Sequence, residues 1–253
     1  MATFELRPLS TGEILDGALT LLRRHFGLLF GIAVACEGVP TVVQLYLELA
    51  SGGRVDPFGA LIVRILNAVG TLLVTGATVR AVSVAYLGGV PQLGDALRYA
   101  VEKFGRVFGA TFLSGLVTGL ATIALIIPGI IVFCGYSVTG QVAALEPLKS
   151  STDALRRSWD LTKGSRWKAL GLWLVSFGLV FVVVLGAGAL GAAAGALAGG
   201  IDTAVTVLVA LVSLLIYPLI TSVFTLFYYD LRVRKEGFDL EVLSGQLGSR
   251  PGA

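Results

Sequence analysis

Four charged residues lie within or at the ends of long apolar segments: Glu37, Arg64, Arg80 and Glu146. A charge in the lipid core costs about 3 kcal/mol or more unless it is paired or hydrated. If the first apolar run begins near Phe26, the helical rise places Glu37 ~16 Å above the inner boundary of the membrane. The same rise, counted from Pro57, places Arg64 ~20 Å above that boundary in a core of ~30 Å. An arginine side chain covers the remaining ~4 Å, so we predict an ion pair between Glu37 and Arg64.

This predicted pair has two interpretations. A structural pair would be buried and would fix the register of the first helical hairpin. A functional pair would form a polar spot on the path of a solute or a proton, and Pro40 would free backbone groups close to it. Arg80 and Glu146 are expected near the inner interface, where they either pair or extend separately to lipid headgroups.

Small residues recur every four positions in the fifth apolar segment, at Ala187, Gly191, Gly195 and Gly199. Such a row predicts close helix packing; the alternative is a flexible or broken helix beside a cavity. The chain contains one histidine, His25, and its two cysteines lie within apolar segments. It has no glycine-rich phosphate loop, nucleophile motif or cluster of metal ligands. We therefore predict no catalytic residue, no metal site and no cofactor.

The composition indicates an integral membrane protein. The chain has 253 residues, of which 55% are hydrophobic and 14% charged, and its mean hydropathy is +0.86. So little polar surface cannot cover a soluble domain of this size. We predict an all-α polytopic membrane protein with six transmembrane helices, near residues 26–48, 58–87, 106–127, 129–146, 168–198 and 203–229.

The basic residues predict the orientation of these helices. Of the nineteen Lys and Arg residues, all except Arg54, Arg64 and Arg80 fall on one side of the six-span topology. Loops rich in Lys and Arg stay on the cytoplasmic face, so both termini are predicted to be cytoplasmic. The excess of Arg over Lys among many Ala, Gly, Val and Leu residues is typical of a GC-rich bacterial coding bias, which favours a bacterial inner membrane. Basic and acidic residues alternate beside the apolar segments, which indicates anionic lipid, not nucleic acid, as the partner.

Three segments share one pattern. Gly94-Asp95-Ala96-Leu97 aligns with Gly12-Glu13-Ile14-Leu15 and with Thr152-Asp153-Ala154-Leu155. We predict three pseudo-repeats, at about 10–89, 92–148 and 150–230, within one domain of residues 1–243, followed by a disordered tail at 244–253. Each repeat would begin with an amphipathic helix on the inner leaflet and continue with two spans, although any helix that enters a membrane can be amphipathic and basic. The residues predicted to contact the leaflet are Arg23, Arg24, Arg98, Arg106, Arg156 and Arg157.

The first of these helices also carries a start signal. Ser10 followed by Glu13 forms the sequence pattern of a capping box, in which each residue satisfies a backbone N–H of the other. The helix is therefore predicted to begin directly after Ser10.

Three stretches carry a resemblance to a known family. They are Leu6-Arg7-Pro8-Leu9-Ser10-Thr11-Gly12-Glu13-Ile14-Leu15-Asp16, Ala154-Leu155-Arg156-Arg157-Ser158-Trp159-Asp160-Leu161-Thr162-Lys163-Gly164 and Tyr229-Asp230-Leu231-Arg232-Val233-Arg234-Lys235-Glu236-Gly237-Phe238-Asp239. With them the chain resembles the bacterial glycerophosphoryl diester phosphodiesterase membrane-domain family along nearly its whole length. The resemblance implies a stand-alone membrane module. It transfers no catalytic residue, because the soluble phosphodiesterase domain of that family uses paired histidines and this chain has one histidine.

Three functions remain open at this point. The first is a non-enzymatic accessory or scaffold module that acts on a partner protein, a second copy of itself or inner-leaflet lipid. The second is a transporter or permease subunit for a small solute, and the third is a membrane-embedded lipid enzyme. A transporter requires a polar cavity that reaches Glu37 and Arg64, a scaffold can bury the pair in dry packing, and an enzyme requires several polar groups that converge at one depth.

Overall fold

The structure, a computed structural model, describes residues 7–50, 56–198 and 201–238, and this part of the chain is helical and contains no strand. Its helices are α1 (Thr11–Arg24), α2 (Phe26–Ala50), α3 (Pro57–Tyr86), α4 (Leu93–Ala124), α5 (Ile126–Gly135), α6 (Thr139–Leu145), α7 (Ser151–Thr162), α8 (Arg166–Ala198) and α9 (Ile201–Glu236). Six segments are long and apolar enough to cross a membrane: α2, α3, α4, α5 together with α6, α8 and α9. The predicted all-α fold with six such segments is confirmed. The predicted tail at 244–253 lies outside the described residues.

Helix α1 starts at the predicted capping box. The Ser10 side chain accepts a hydrogen bond from the Glu13 backbone N–H, and the Glu13 carboxylate accepts one from the Ser10 N–H at 2.7 Å. This backbone hydrogen bond and the Arg7 guanidinium beside it lower the pKa of Glu13 to about 2. The helix ends at His25, and α2 begins at the next residue. The cap therefore fixes where the first amphipathic segment begins.

The amphipathic segments are integrated into the helical bundle. Helix α1 packs against α2, α8 and α9, and its residues Ile14 and Ala18 are fully buried. Helix α7 packs against α4, α5, α6 and α9 and buries Ala154 and Leu161. In the middle segment no separate amphipathic helix exists, because α4 runs without interruption from Leu93 to Ala124. The apolar faces of α1 and α7 are thus covered by protein, and their polar faces remain available to other molecules.

The fourth membrane-length segment is broken. Helix α5 ends at Gly135, a short turn follows, and α6 begins at Thr139. The freed Gly135 carbonyl accepts hydrogen bonds from the side chains of Ser158 and Thr162 of α7, each at 3.0 Å. These bonds replace the helical bonds that the break removes, as non-helical backbone at membrane depth requires. Helix α7 is therefore anchored in the bundle by the break.

The turn between α4 and α5 lies at Leu125, three residues before Pro128, the position at which the predicted spans 106–127 and 129–146 divide. Pro128 is in the first turn of α5, where backbone N–H groups have no helical partner in any case. The predicted position was wrong because proline interrupts a helix interior but is accommodated at a helix start.

Charged residues join the stretch before α1 to α8 and α9 at one end of the bundle, which we call the basic end. Asp230 of α9, whose side chain is fully buried, pairs with Lys168 of α8 at 2.5 Å and with Arg234 at 2.9 Å. The backbone N–H of Leu9 donates to the same carboxylate at 2.7 Å, and the Leu9 carbonyl accepts from Lys168 and Arg234. The N-terminal stretch is thereby held against the ends of α8 and α9.

Helices α8 and α9 approach each other along the predicted row of small residues. Ala187, Gly191 and Gly195 are buried. A Cβ atom added at Gly191 would lie 2.6 Å from the Cα atom of Val205, so only glycine permits this contact. Gly199 lies outside the described residues.

Candidate functional site

Glu37 lies in the interior of α2 and faces α3. Its residue surface is 3% exposed, and its Oε1 atom accepts a hydrogen bond from the Thr71 hydroxyl at 2.8 Å. Gly70 stands directly opposite: a Cβ atom there would lie 2.8 Å from Glu37 Oε2 and 2.9 Å from the Cys36 carbonyl oxygen. The Gly70-Thr71 pair therefore provides both the space and the hydrogen bond that hold the carboxyl group.

Pro40 explains why the Cys36 carbonyl lies at this contact. Proline has no N–H, so inside α2 it removes the helical hydrogen bond to the carbonyl four residues earlier, which is that of Cys36. We predicted that Pro40 frees a backbone group beside Glu37. This group is the Cys36 carbonyl, and it lies on the side of α2 that contacts Gly70. An ionisable side chain and a carbonyl without its helical donor lie next to each other in a membrane-length helix.

A cavity of about 480 Å³ extends from Glu37 between α2, α3 and α9. Its polar wall from α2 follows one helical face, through Thr41, Gln44 and Glu48, toward the end of α2 distant from the basic end. Asn67 of α3 donates to Gln44 at 3.4 Å, and Gln44 donates to Glu48 at 3.0 Å. Helix α9 closes the cavity with Val205, Thr206, Val209, Ala210, Ser213, Leu214 and Tyr217.

The cavity has the size and the charge of a binding site for a small molecule. Ligand pockets in proteins typically have volumes of about 300–1,000 Å³ and combine apolar walls with a few polar groups. Two carboxyl groups, those of Glu37 and Glu48, line this cavity, and no described residue of its lining is basic. Within the part of the chain that the structure describes, no group of three or more His, Cys, Asp or Glu residues is arranged to hold a metal ion. The described lining thus carries acidic and no basic side chains.

Sequence reasoning identified Glu37 but missed the rest of this lining. The available signal was the spacing of Glu37, Thr41, Gln44 and Glu48, which places four polar residues on one face of an otherwise apolar helix. The contribution of α9 had no such local signal, because it depends on how the last helix packs against the first hairpin.

The structure does not bring Arg64 to Glu37. Arg64 is exposed, does not line the cavity, and forms no ion pair with the residues that the structure describes. The prediction measured depth from Pro57, but α3 has 30 residues and is therefore ~45 Å long, more than the ~30 Å of a lipid core. In the observed register Thr71 lies beside Glu37, and Arg64 lies about two helical turns, ~10 Å, closer to the start of α3.

Arg80 and Glu146 do not pair with each other either. The Glu146 carboxylate accepts from Arg157 Nε at 2.8 Å and from the Tyr228 hydroxyl at 3.0 Å. The Arg80 guanidinium lies 5.2 Å from the ring centre of Tyr99. The two residues have other partners. Helix α7 brings Arg157 to Glu146, and the guanidinium of Arg80 lies over the ring of Tyr99 in α4.

The six arginines predicted to contact the leaflet fall into two groups. Arg23, Arg24, Arg98 and Arg156 are exposed, and Arg98 also pairs with Glu102 one turn further along α4. Arg106 and Arg157 are partly buried and bind the protein itself. Arg106 donates to the Leu148 carbonyl at 3.4 Å, and Arg157 pairs with Glu236 at 2.5 Å in addition to Glu146. Their acceptors lie in the link between α6 and α7 and at the end of α9, and contact of these two residues with the leaflet stays a prediction.

The three stretches that carry the family resemblance meet at the basic end. The opening stretch binds the closing one through Leu9 and Asp230, and the middle stretch binds it through Arg157 and Glu236. Lys235 adds hydrogen bonds to the carbonyls of Asp160 and Lys163, both at 2.6 Å. Their positions are explained by the packing of the bundle, and none of these contacts reaches the Glu37 cavity.

Comparison with known proteins does not assign this arrangement. No family model, no curated protein and no solved structure matches the chain. The resemblance to the glycerophosphoryl diester phosphodiesterase membrane-domain family therefore stays a prediction, and the function has to be inferred from the geometry around Glu37.

Proposed function

We propose that this chain is a multi-pass protein of a bacterial inner membrane that binds a small, positively charged organic solute at Glu37, as a transporter or permease subunit. The observation that carries this proposal is the cavity of about 480 Å³ that ends at the Glu37 carboxyl group within the membrane-length helices. A polar cavity beside Glu37 supports this function, and it is lined by Asn67, Gln44 and Glu48 in place of the predicted Arg64.

The cost of the buried acid supports a binding role. An ionisable side chain in a transmembrane helix is expensive, and such residues mark solute pathways by default. Glu37 has a hydroxyl partner in Thr71 but no basic partner among the described residues. A bound cation would supply the missing opposite charge, and the cavity leaves room for it beside the carboxyl group.

The orientation follows from the distribution of basic residues. Arg23, Arg24, Arg98 and Arg156 are exposed in helices whose ends lie at or near the basic end. Positive charge is retained on the cytoplasmic side, so the basic end and both chain termini face the cytoplasm. The Glu37 cavity then extends toward the outer face of the membrane, from which it would take up solute.

A scaffold or accessory function is the second candidate. It is favoured by the same four exposed arginines, which form a basic surface that suits anionic lipid headgroups or an acidic partner protein. This function needs no cavity at Glu37, so the two candidates respond differently to the loss of that carboxyl group.

A binding experiment with matched ligands tests the first candidate. Choline and its uncharged isostere 3,3-dimethylbutanol have the same shape, so a site that recognises charge should distinguish them. We expect choline, methylguanidinium or tetramethylammonium to raise the melting temperature of the purified protein in detergent, and 3,3-dimethylbutanol to have no effect. Glu37→Gln should abolish the shift, whereas Arg64→Gln, which removes an exposed charge outside the cavity, should preserve it. No shift with any of the three cations, or an equal shift in Glu37→Gln, would contradict the proposal.

A further inference from the structure

A second cavity, of about 670 Å³, lies between α3, α4, α5, α6, α8 and α9. It adjoins the Glu37 cavity at Tyr217, which lines both spaces, but neither Glu37 nor Glu48 lines it. No described residue of its lining is charged. Whatever occupies this cavity therefore differs in charge from the ligand of the first one.

Gln141 of α6 is the strongest sign that this cavity binds a ligand. Its residue surface is 5% exposed, it lines the cavity, and its side chain forms no hydrogen bond with the residues that the structure describes. A ligand in the cavity can supply the hydrogen-bond partners that this amide lacks. In the described part of the chain, three atoms of other lining residues are fully buried without a partner: Ser137 Oγ, Thr139 Oγ1 and Trp173 Nε1.

The wall opposite α6 is a hydroxyl and glycine face of α4. Thr111, Ser114, Gly115, Thr118 and Gly119 recur at the spacing of one helical face and all line the cavity. A Cβ atom added at Gly115 or Gly119 would meet no atom within 4 Å. These glycines therefore do not serve close helix packing, and they border open space.

Aromatic rings form a third wall. The ring centre of Trp173 lies 4.8 Å from that of Phe133 and 4.3 Å from that of Phe224. This wall suits an apolar body, whereas Gln141 and the hydroxyl groups suit a head that accepts and donates hydrogen bonds. We propose that the cavity is a second binding site, for an uncharged amphiphile with a hydroxyl, ester or amide head.

The inference is tested with a neutral lipid that has such a head. Monoolein carries an ester and two hydroxyl groups, and its dibrominated form quenches tryptophan fluorescence on contact. The measurement uses protein in lipid-free detergent with Trp167→Phe, which removes a tryptophan that is 86% exposed. We expect saturable quenching by dibrominated monoolein that disappears when Trp173 is also replaced by Phe. Dibrominated stearate, which is anionic, should bind at least about tenfold more weakly, because a charge would be buried without a partner.

Two glycine variants provide the decisive comparison. Gly119→Leu fills the cavity with a side chain and should abolish the saturable quenching. Gly178→Leu adds the same side chain on α8, where an added Cβ atom also meets no atom within 4 Å but where no cavity lining is present, and it should leave quenching unchanged. Gln141→Leu should weaken binding about tenfold through the lost hydrogen bonds. Glu37→Gln should not affect it, so the outcome is independent of the first site.

Several outcomes would overturn the proposal. Quenching that does not saturate, or that is equal in Gly119→Leu and Gly178→Leu, would mean that the probe only surrounds the protein and that water fills the cavity. Equal affinity for the neutral and the anionic probe would overturn the assignment to an uncharged ligand. Direct binding of tritiated monoolein to the same variants repeats the comparison without any change at a tryptophan.

Discussion

The Thr71 hydroxyl donates a 2.8 Å hydrogen bond to Oε1 of Glu37 and thereby joins α3 to the acidic residue in the interior of α2. Glu37 also lines a polar cavity, so the same carboxyl group joins two helices and is available to a ligand. Substitutions around this pair can therefore separate what holds the carboxyl from what the carboxyl binds.

Thr71→Val should destabilise the protein by about 1–3 kcal/mol, because it leaves the buried Glu37 carboxyl without its hydroxyl donor. Thr75→Val is the matched control, since among the described residues the Thr75 hydroxyl bonds the carbonyl of Thr71 in its own helix, at 2.8 Å, and no residue of another helix. The measurement is thermal unfolding of both variants in the same detergent. Equal destabilisation by the two substitutions would mean that the bond to Glu37 has no special weight.

Gly70→Ala should also destabilise the fold, by about 1–3 kcal/mol, because the new methyl group would overlap Glu37 Oε2 and the Cys36 carbonyl. Gly115→Ala places the same methyl group in open space and removes a glycine from a helix, so we expect it to be neutral or slightly stabilising. Melting temperatures of the two variants provide the test. A Gly70→Ala protein as stable as Gly115→Ala would show that α2 and α3 are not in close contact at Glu37.

Arg156 and Arg157 are neighbours with different roles, so we expect one substitution to affect lipid binding and the other to affect stability. Arg157→Gln leaves the largely buried Glu146 without its cation, while Glu236 keeps Arg232, and should lower stability by about 1–3 kcal/mol. Arg156→Gln should leave stability unchanged and reduce binding to anionic vesicles, because Arg156 is exposed at the basic end. Thermal unfolding and sedimentation with vesicles of phosphatidylglycerol measure the two effects. Loss of stability in Arg156→Gln, or its absence in Arg157→Gln, would contradict the assignment.

The capping box predicts how stability depends on pH. The Ser10 N–H and Arg7 lower the pKa of Glu13 from 4.5 to about 2, so the folded state favours the charged carboxylate. Its contribution is fully present above pH 4.5 and is lost as the pH falls toward 2. The difference in melting temperature between the wild type and Glu13→Gln should therefore be constant at neutral pH and shrink below pH 4.5. A difference that grows on acidification would contradict this role of Glu13.

The sequence predicts the elements of this fold better than their partners. The apolar segments and the Ser10 cap depend on neighbouring residues, so their positions follow from hydropathy and local motifs. The partners of Glu37 and Glu146 depend on how helices distant in the sequence pack. An error of two turns in the predicted depth of α3 was enough to predict Arg64, and not Thr71, as the partner of Glu37. The break between Gly135 and Thr139 was missed although Ser137, Thr139 and Gln141 interrupt the apolar run there, and the side chains that hydrogen-bond its free carbonyl come from α7.

The candidate site was predicted in part for the same reason. Glu37 is conspicuous because it is a charge in an apolar helix, and Pro40 beside it is a local signal. Neither residue indicates that Ser213 and Tyr217 of α9 close the cavity, since their contact with α2 is made only in the folded bundle.

The most direct test of the central claim is solute uptake into proteoliposomes that contain the wild type, Glu37→Gln or Arg64→Gln at equal density. Radiolabelled choline and methylguanidinium are the probes, and size-exclusion profiles establish that all three proteins are assembled. We predict saturable uptake by the wild type and by Arg64→Gln, and none by Glu37→Gln. Uptake by Glu37→Gln at the wild-type rate, or no uptake by the wild type beyond that of empty vesicles, would contradict a solute pathway through the Glu37 cavity.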